Sequence, residues 1–281
     1  TDKGKLTPLG DTLLSIIRCS RSYGLYSGDY HFPLLDTMSR NFFNNKDSAY
    51  NVSYIAAFEA MLADAYLKFG AHLNKGRFNP DTMLREWNPA KADTQWLSVL
   101  LMGIKFQKPR EALDSLEPKH KGYQFLKMAL AKYIAQTDSL QWDSIPFTSA
   151  MDTLNLNEQL KRRFIHSGEY FFSNNKNDSL NLAAAIKSFQ KKFNLEPDGK
   201  PGKYTRQALA LNKEFTIRQI EMALERWRWE PSKYPEKYAI VNIPSAEINV
   251  WEKDKRKKAI DGDDTLILHS KVVVGKPEHP T

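Results

Sequence analysis

The chain has 281 residues, 41% of them hydrophobic and 12% aromatic, which is long for one ordinary domain and rich enough in apolar material for two or three cores. Basic side chains number 41 against 33 acidic ones, a net charge of +8, so the surface could meet nucleic acid, anionic lipid or an acidic wall polymer, or simply be a lysine-rich solvated surface. One cysteine, Cys19, excludes an intrachain disulfide, and no apolar run approaches the roughly 20 residues that span a bilayer.

Residues 6–150 read as mostly helical. The longest apolar stretch, Leu13-Leu14-Ser15-Ile16-Ile17, sits in an amphipathic pattern rather than an export signal, so the chain is either cytosolic or begins after a removed signal. From Tyr54 to Phe69, Ile55, Phe58, Leu62, Ala65, Tyr66 and Phe69 recur at three- and four-residue steps and share one helix face. Tyr123, Leu126, Leu130, Tyr133 and Ile134 repeat the pattern. Pro33, Pro80, Pro89, Pro109, Pro118 and Pro146 break the region into helices of moderate length. It carries no catalytic motif and reads as a helical scaffold. Cys19, beside Ile16, Ile17 and Arg18, reads as a small buried or half-buried helix residue.

Residues 152–213 change character. Leu156, Leu160 and Phe164 mark one short helix, and Leu182, Ile186, Phe189 and Phe193 a second. Asp198-Gly199 favours a tight turn, in which Gly199 or Gly202 is expected to take a positive φ. A third short helix runs through Ala208, Leu209 and Leu211, with Thr205 or a residue just before it as its cap. An amphipathic linker helix comes next, over 214–230, with Ile217, Ile220, Leu224 and Trp227 on one face, and ends at Glu230-Pro231. Trp227 is expected to pack this helix against the β domain at the C-terminus, with Trp229 partly exposed.

From residue 238 the period changes to that of strands: Tyr238–Ile243, Glu247–Trp251 and Thr265–Val274, with the basic run Lys253–Lys258 as a loop between the last two. Three strands cannot close a sandwich or bury a core alone, so this third domain reads as incomplete.

Ala185-Ile186-Lys187-Ser188-Phe189-Gln190-Lys191-Lys192-Phe193-Asn194-Leu195, then Asp198-Gly199, Gly202, Thr205, Ala208-Leu209 and Asn212, resembles the peptidoglycan-binding domain 1 family. The flanks extend the likeness. Arg218-Gln219-Ile220-Glu221, Leu224-Glu225-Arg226-Trp227-Arg228-Trp229, Val241-Asn242-Ile243-Pro244 and Val272-Val273-Val274-Gly275-Lys276 resemble the large periplasmic L,D-transpeptidases of Gram-negative bacteria. Tyr23-Gly24-Leu25, Gly76-Arg77 and Leu116-Glu117-Pro118-Lys119-His120-Lys121-Gly122-Tyr123 are similar to their scaffold.

The resemblance implies a mainly α protein with a partial β domain at its C-terminus. A scaffold would span 1–151, the peptidoglycan-binding module 152–213, a linker helix 214–237, and the first strands of the catalytic domain 238–281. It also implies the cell envelope or periplasm as location, and a parent enzyme that makes 3→3 peptidoglycan cross-links through a cysteine thioester. That chemistry needs a Ser-His-Gly-Cys type motif, and no His-Gly-Cys occurs here, so this chain is expected to be inactive by itself. The alternative is a non-catalytic peptidoglycan-binding protein. A nucleic-acid binder would rest on charge alone, and no nucleic-acid partner is expected.

The candidates for wall contact are Lys192, Lys203, Tyr204 and Arg206, since aromatic rings stack on sugar faces and cations meet stem-peptide carboxylates. Phe189, on the same side, reads rather as core. The six histidines show no metal-ligand spacing, and no metal or cofactor is expected. Peptidoglycan is the expected partner, with any membrane association coming only through a removed N-terminal signal or anchor.

Overall fold

The computed structural model describes residues 1, 6–44, 52–78, 95–139, 153–170, 178–211, 213–231, 233–243, 245–253 and 264–273. The helices are α1 (Pro8–Arg18), α2 (Phe32–Asn44), α3 (Val52–Lys75), α4 (Trp96–Lys105), α5 (Pro109–Leu116), α6 (Lys121–Ser139), α7 (Thr153–Ser167), α8 (Asp178–Lys192), α9 (Lys203–Ala210) and α10 (Lys213–Trp227). The strands are β1 (Lys237–Asn242), β2 (Glu247–Glu252) and β3 (Thr265–Lys271). The fold is therefore mostly helical with a small antiparallel sheet at its C-terminus, as expected. Among the described residues no helix is long and apolar enough to cross a membrane. Pro80, Pro89, Pro146, Asn212, Pro244, residues 254–258 of the basic run and Val274-Gly275-Lys276 lie outside the described residues.

Two compact units divide the chain: residues 1–128 with 222–281, and residues 129–221. In the first, α1 starts at a Thr7 cap whose hydroxyl accepts from the Gly10 N–H, with Pro8 at the first helical position. The predicted face of α3 is the one that is buried, through Phe58, Leu62, Ala65, Tyr66 and Phe69; Ile55 lies at its half-buried margin. Phe69 packs edge-on against Tyr23 and Tyr30, with ring centres 5.4 and 5.0 Å away. Cys19 departs from expectation. It is exposed, because it caps the C-terminus of α1. Its N–H bonds back into the helix, and its carbonyl accepts from the Ser22 N–H and hydroxyl.

The end of α10 belongs to this first unit, and two charged residues there, Glu225 and Arg228, are buried. Arg228, with a fully buried side chain, pairs with Glu225 at 3.1 Å and donates to the Tyr23 carbonyl and the Tyr123 hydroxyl. Glu225 in turn accepts from the backbone N–H groups of Arg77 and Phe78. Gly76, at φ 83°, ends α3 where a Cβ would strike both Glu225 and Trp229. Trp229 is buried, not partly exposed, and Trp227 packs on His120 and Gly122, in the segment before and at the start of α6. The segment after α10 is tied down the same way, as His120 bonds the Pro231 carbonyl at 2.9 Å and stacks near Tyr234.

The sheet runs in the order β1-β2-β3, antiparallel throughout, with a bulge between Val250 and Trp251. Alternation sets Ala239, Val241, Ile248, Val250 and Leu268 on one face. Of these, Ala239, Val241 and Leu268 are exposed and Ile248 and Val250 half-buried, so this apolar face has no covering layer among the described residues.

Candidate functional site

The second unit contains the three predicted short helices. Leu156, Leu160 and Phe164 of α7, Ala185, Ile186 and Phe189 of α8 and Leu209 of α9 form one core, closed by Tyr170. Phe189 is buried, as read from its spacing, with ring centres 5.5 Å from Phe164 and 4.4 Å from Phe193. Burying such a side chain contributes about 1.5–3 kcal/mol, so this core positions the surface built on it.

The loop from α8 to α9 is held by one side chain. The buried Gln190 amide donates to Asp198 Oδ1 at 2.7 Å, the Lys200 carbonyl at 3.0 Å and Thr205 Oγ1 at 3.1 Å. Its carbonyl accepts from the Gly199 N–H at 2.9 Å. Asp198 Oδ1 also accepts from the Lys200 N–H at 2.8 Å, closing an Asx-type turn. These bonds hold the Asp198 carboxyl below the usual carboxylate range, the Lys200 N–H first and the Gln190 amide second.

Gly199 takes the positive φ the turn needs, at 77°, while Gly202 is extended with φ −67° and occupies the cap position of α9. Thr205 is therefore not the cap. It lies three residues into the helix, buried, as an acceptor for Gln190. Gln190 was legible only as part of a packing helix. Its hub role depends on partners eight to fifteen residues ahead.

The first turn of α9 brings Lys203, Tyr204 and Arg206 together. Lys203 is exposed and Tyr204 is 69% exposed, the largest exposure of any aromatic side chain among the described residues. Arg206 is half-buried and its Nε donates to the Pro201 carbonyl at 2.8 Å, so it also braces the loop. Lys192 stands on a different helix and has a structural job: its ammonium meets the buried Glu169 carboxylate at 2.6 Å. Glu169 also faces the buried Arg163, whose guanidinium is pushed below its usual value by burial, with Glu169 opposing. Among the described residues no cluster of histidine, cysteine or acidic side chains could hold a metal ion.

Residues 1–130 match the model of a family described as a scaffold domain, and residues 155–209 match one described as a "Putative peptidoglycan binding domain". The chain combines a scaffold domain with a peptidoglycan-binding domain. No individual curated protein matches it. The peptidoglycan-binding match spans all of the Gln190 network and the α9 turn, and the buried α3 face and its Gly76 stop fall inside the scaffold match.

Proposed function

We propose that this chain binds peptidoglycan in the cell envelope through the exposed first turn of α9, with Tyr204 stacking on a sugar ring and Lys203 and Arg206 meeting stem-peptide carboxylates. One observation carries the reading: a loop clamped at five hydrogen bonds presents a 69% exposed tyrosine beside two cations. The N-terminal end of α9 adds N–H groups with no side-chain cap, which favours an anionic partner there. Lys192, whose ammonium is paired with Glu169, would contribute less to wall contact.

The wider reading is that the chain is the scaffold and wall-binding portion of a periplasmic L,D-transpeptidase that makes 3→3 cross-links. The uncovered apolar face of the sheet supports this, since a catalytic β domain would supply the missing layer. Because no His-Gly-Cys motif is present, the thioester chemistry would belong to residues beyond this sequence. Reading the gene past the codon for Thr281 tests it. A continuing frame with a His-Gly-Cys motif is expected, and an immediate stop favours the non-catalytic peptidoglycan-binding alternative. Wall binding itself is tested by sedimenting the intact chain with purified sacculi at low and high salt. Binding that weakens with salt is expected, because exposed charges are screened within about 10 Å at 0.1 M, and absence of binding refutes the reading.

A further inference from the structure

The scaffold domain carries a second group of exposed aromatics, and it is anchored unusually firmly. Tyr26 opens the second of two short 3-10 turns, and Arg77 and Phe78 follow the Gly76 stop of α3. The Arg77 guanidinium lies 4.7 Å from the Tyr26 ring centre and 5.0 Å from that of Phe78. It is fixed by an ion pair to Asp29 at 2.6 Å. The Arg77 and Phe78 N–H groups bond to Glu225, which is itself locked to the buried Arg228.

Despite these anchors Tyr26 and Phe78 remain 42% and 46% exposed. Leaving large apolar rings in water forfeits the stabilisation that burial would give. Here the backbone hydrogen bonds, the ion pair and the obligatory glycine hold them at the surface in a fixed arrangement. Such preorganisation lowers the cost of binding, because little freedom remains to be lost.

The local chemistry selects the ligand. Two aromatic rings offer apolar faces of the size of a pyranose ring. Beside them, Arg77 keeps 21% and Asp29 30% of its side chain exposed, a donor fork and an acceptor suited to hydroxyl and amide groups. Arg77 and Asp29 cancel in charge, which disfavours a polyanion and favours a neutral ligand. We propose that Tyr26, Arg77, Phe78 and Asp29 form a second carbohydrate-contacting site, in the scaffold domain, that takes a neutral amino-sugar unit of a glycan strand. Its assignment to wall glycan rests on the peptidoglycan-binding reading above. The site itself does not depend on α9.

Chitotetraose, a neutral β-1,4 chain of N-acetylglucosamine, is the probe, applied to the intact chain with hydrogen exchange as readout. Protection gained at residues 24–30 and 76–78 is expected. Phe78→Ala is expected to weaken binding by about tenfold, the loss of one ring's contact, while exchange in α3 stays unchanged. Tyr26→Phe, which keeps the ring, is expected to bind like the parent chain. Absence of protection at these residues overturns the proposal, as does Phe78→Ala binding undiminished. The two readings fail separately: sacculus binding lost in a Tyr204→Ala chain bears on α9 alone, and chitotetraose protection at 24–30 bears on the scaffold site alone.

Discussion

Replacing Gln190 by methionine keeps nearly the same side-chain volume and removes every hydrogen bond that Gln190 makes in the loop clamp, leaving only the Lys200 N–H to Asp198 bond. Four contacts disappear: three donated to Asp198, Lys200 and Thr205, and one accepted from Gly199. Asp198 and Lys200 are exposed and can turn to water, but Thr205 is buried and the Gly199 N–H is part-buried. A buried group left unsatisfied costs about 1–3 kcal/mol, and the part-buried Gly199 N–H adds about 1 kcal/mol, so the loop and α9 are expected to lose about 2–4 kcal/mol. At 1.36 kcal/mol per decade this raises local opening by about 30- to 1,000-fold. Hydrogen-exchange mass spectrometry on residues 183–211 reads that change directly, while the scaffold core stays protected as an internal control. Gln190→Glu keeps the acceptor for Gly199 but sets an oxygen against Asp198 and the Lys200 carbonyl, so it is expected to open the loop as well. If Gln190→Met exchanges within about twofold of the parent, the glutamine acts by packing alone and the clamp account is wrong.

Further outcomes are expected elsewhere. Arg228→Met leaves Glu225 buried without its cation and should cost the scaffold about 3–5 kcal/mol in urea unfolding, with Glu225→Gln in the same chain recovering part of it; no recovery would mean that the pair is not the coupled element. His72, whose Nδ1 meets the Tyr30 hydroxyl at 2.9 Å, is held below the usual imidazole value chiefly by burial. A depressed base stabilises the fold fully above about pH 6.5 and loses that contribution as pH falls through its folded value. The unfolding midpoint followed by tryptophan emission should thus be lower near pH 5.5 than near pH 7.5, and His72→Gln should shrink the difference. Asp198 has the depressed-acid sign, so the α8–α9 loop should loosen only as pH falls below about 4. Finally, the chain should release no D-alanine from tetrapeptide stems and take no acyl group from a carbapenem, and acylation of Cys19 with turnover would contradict its assignment as a helix cap.

Repeating patterns made much of the fold legible. The α3 face, the three short helices around Phe164 and Phe189, the Asp198-Gly199 turn and the three strands all follow from apolar spacing and turn chemistry, which are local. What stayed hidden depends on distant partners. Glu225 and Arg228 look like surface charges on an amphipathic helix, because the backbone they serve lies about 150 to 200 residues earlier. For the same reason Trp227 and Trp229 gave no sign that they seat on the scaffold. Thr205 read as a cap because threonine is common there, yet the helix starts two residues earlier and turns its hydroxyl inward. In the candidate site, Lys203 and Tyr204 were legible as contact candidates, but the half-burial of Arg206 against the Pro201 carbonyl was not, nor was the engagement of Lys192 with Glu169, which lies 23 residues away.

Sedimentation of the intact chain with purified sacculi, compared with a Lys203→Glu/Tyr204→Ala chain, tests the central claim most directly. Both substitutions fall on exposed side chains outside the Gln190 network, so the fold should be retained. The parent chain is expected to pellet with the sacculi, and the variant to bind at least about tenfold more weakly, as expected for loss of a stacking ring and a cation. Equal pelleting of the two chains would contradict the account and move the wall-facing surface away from α9.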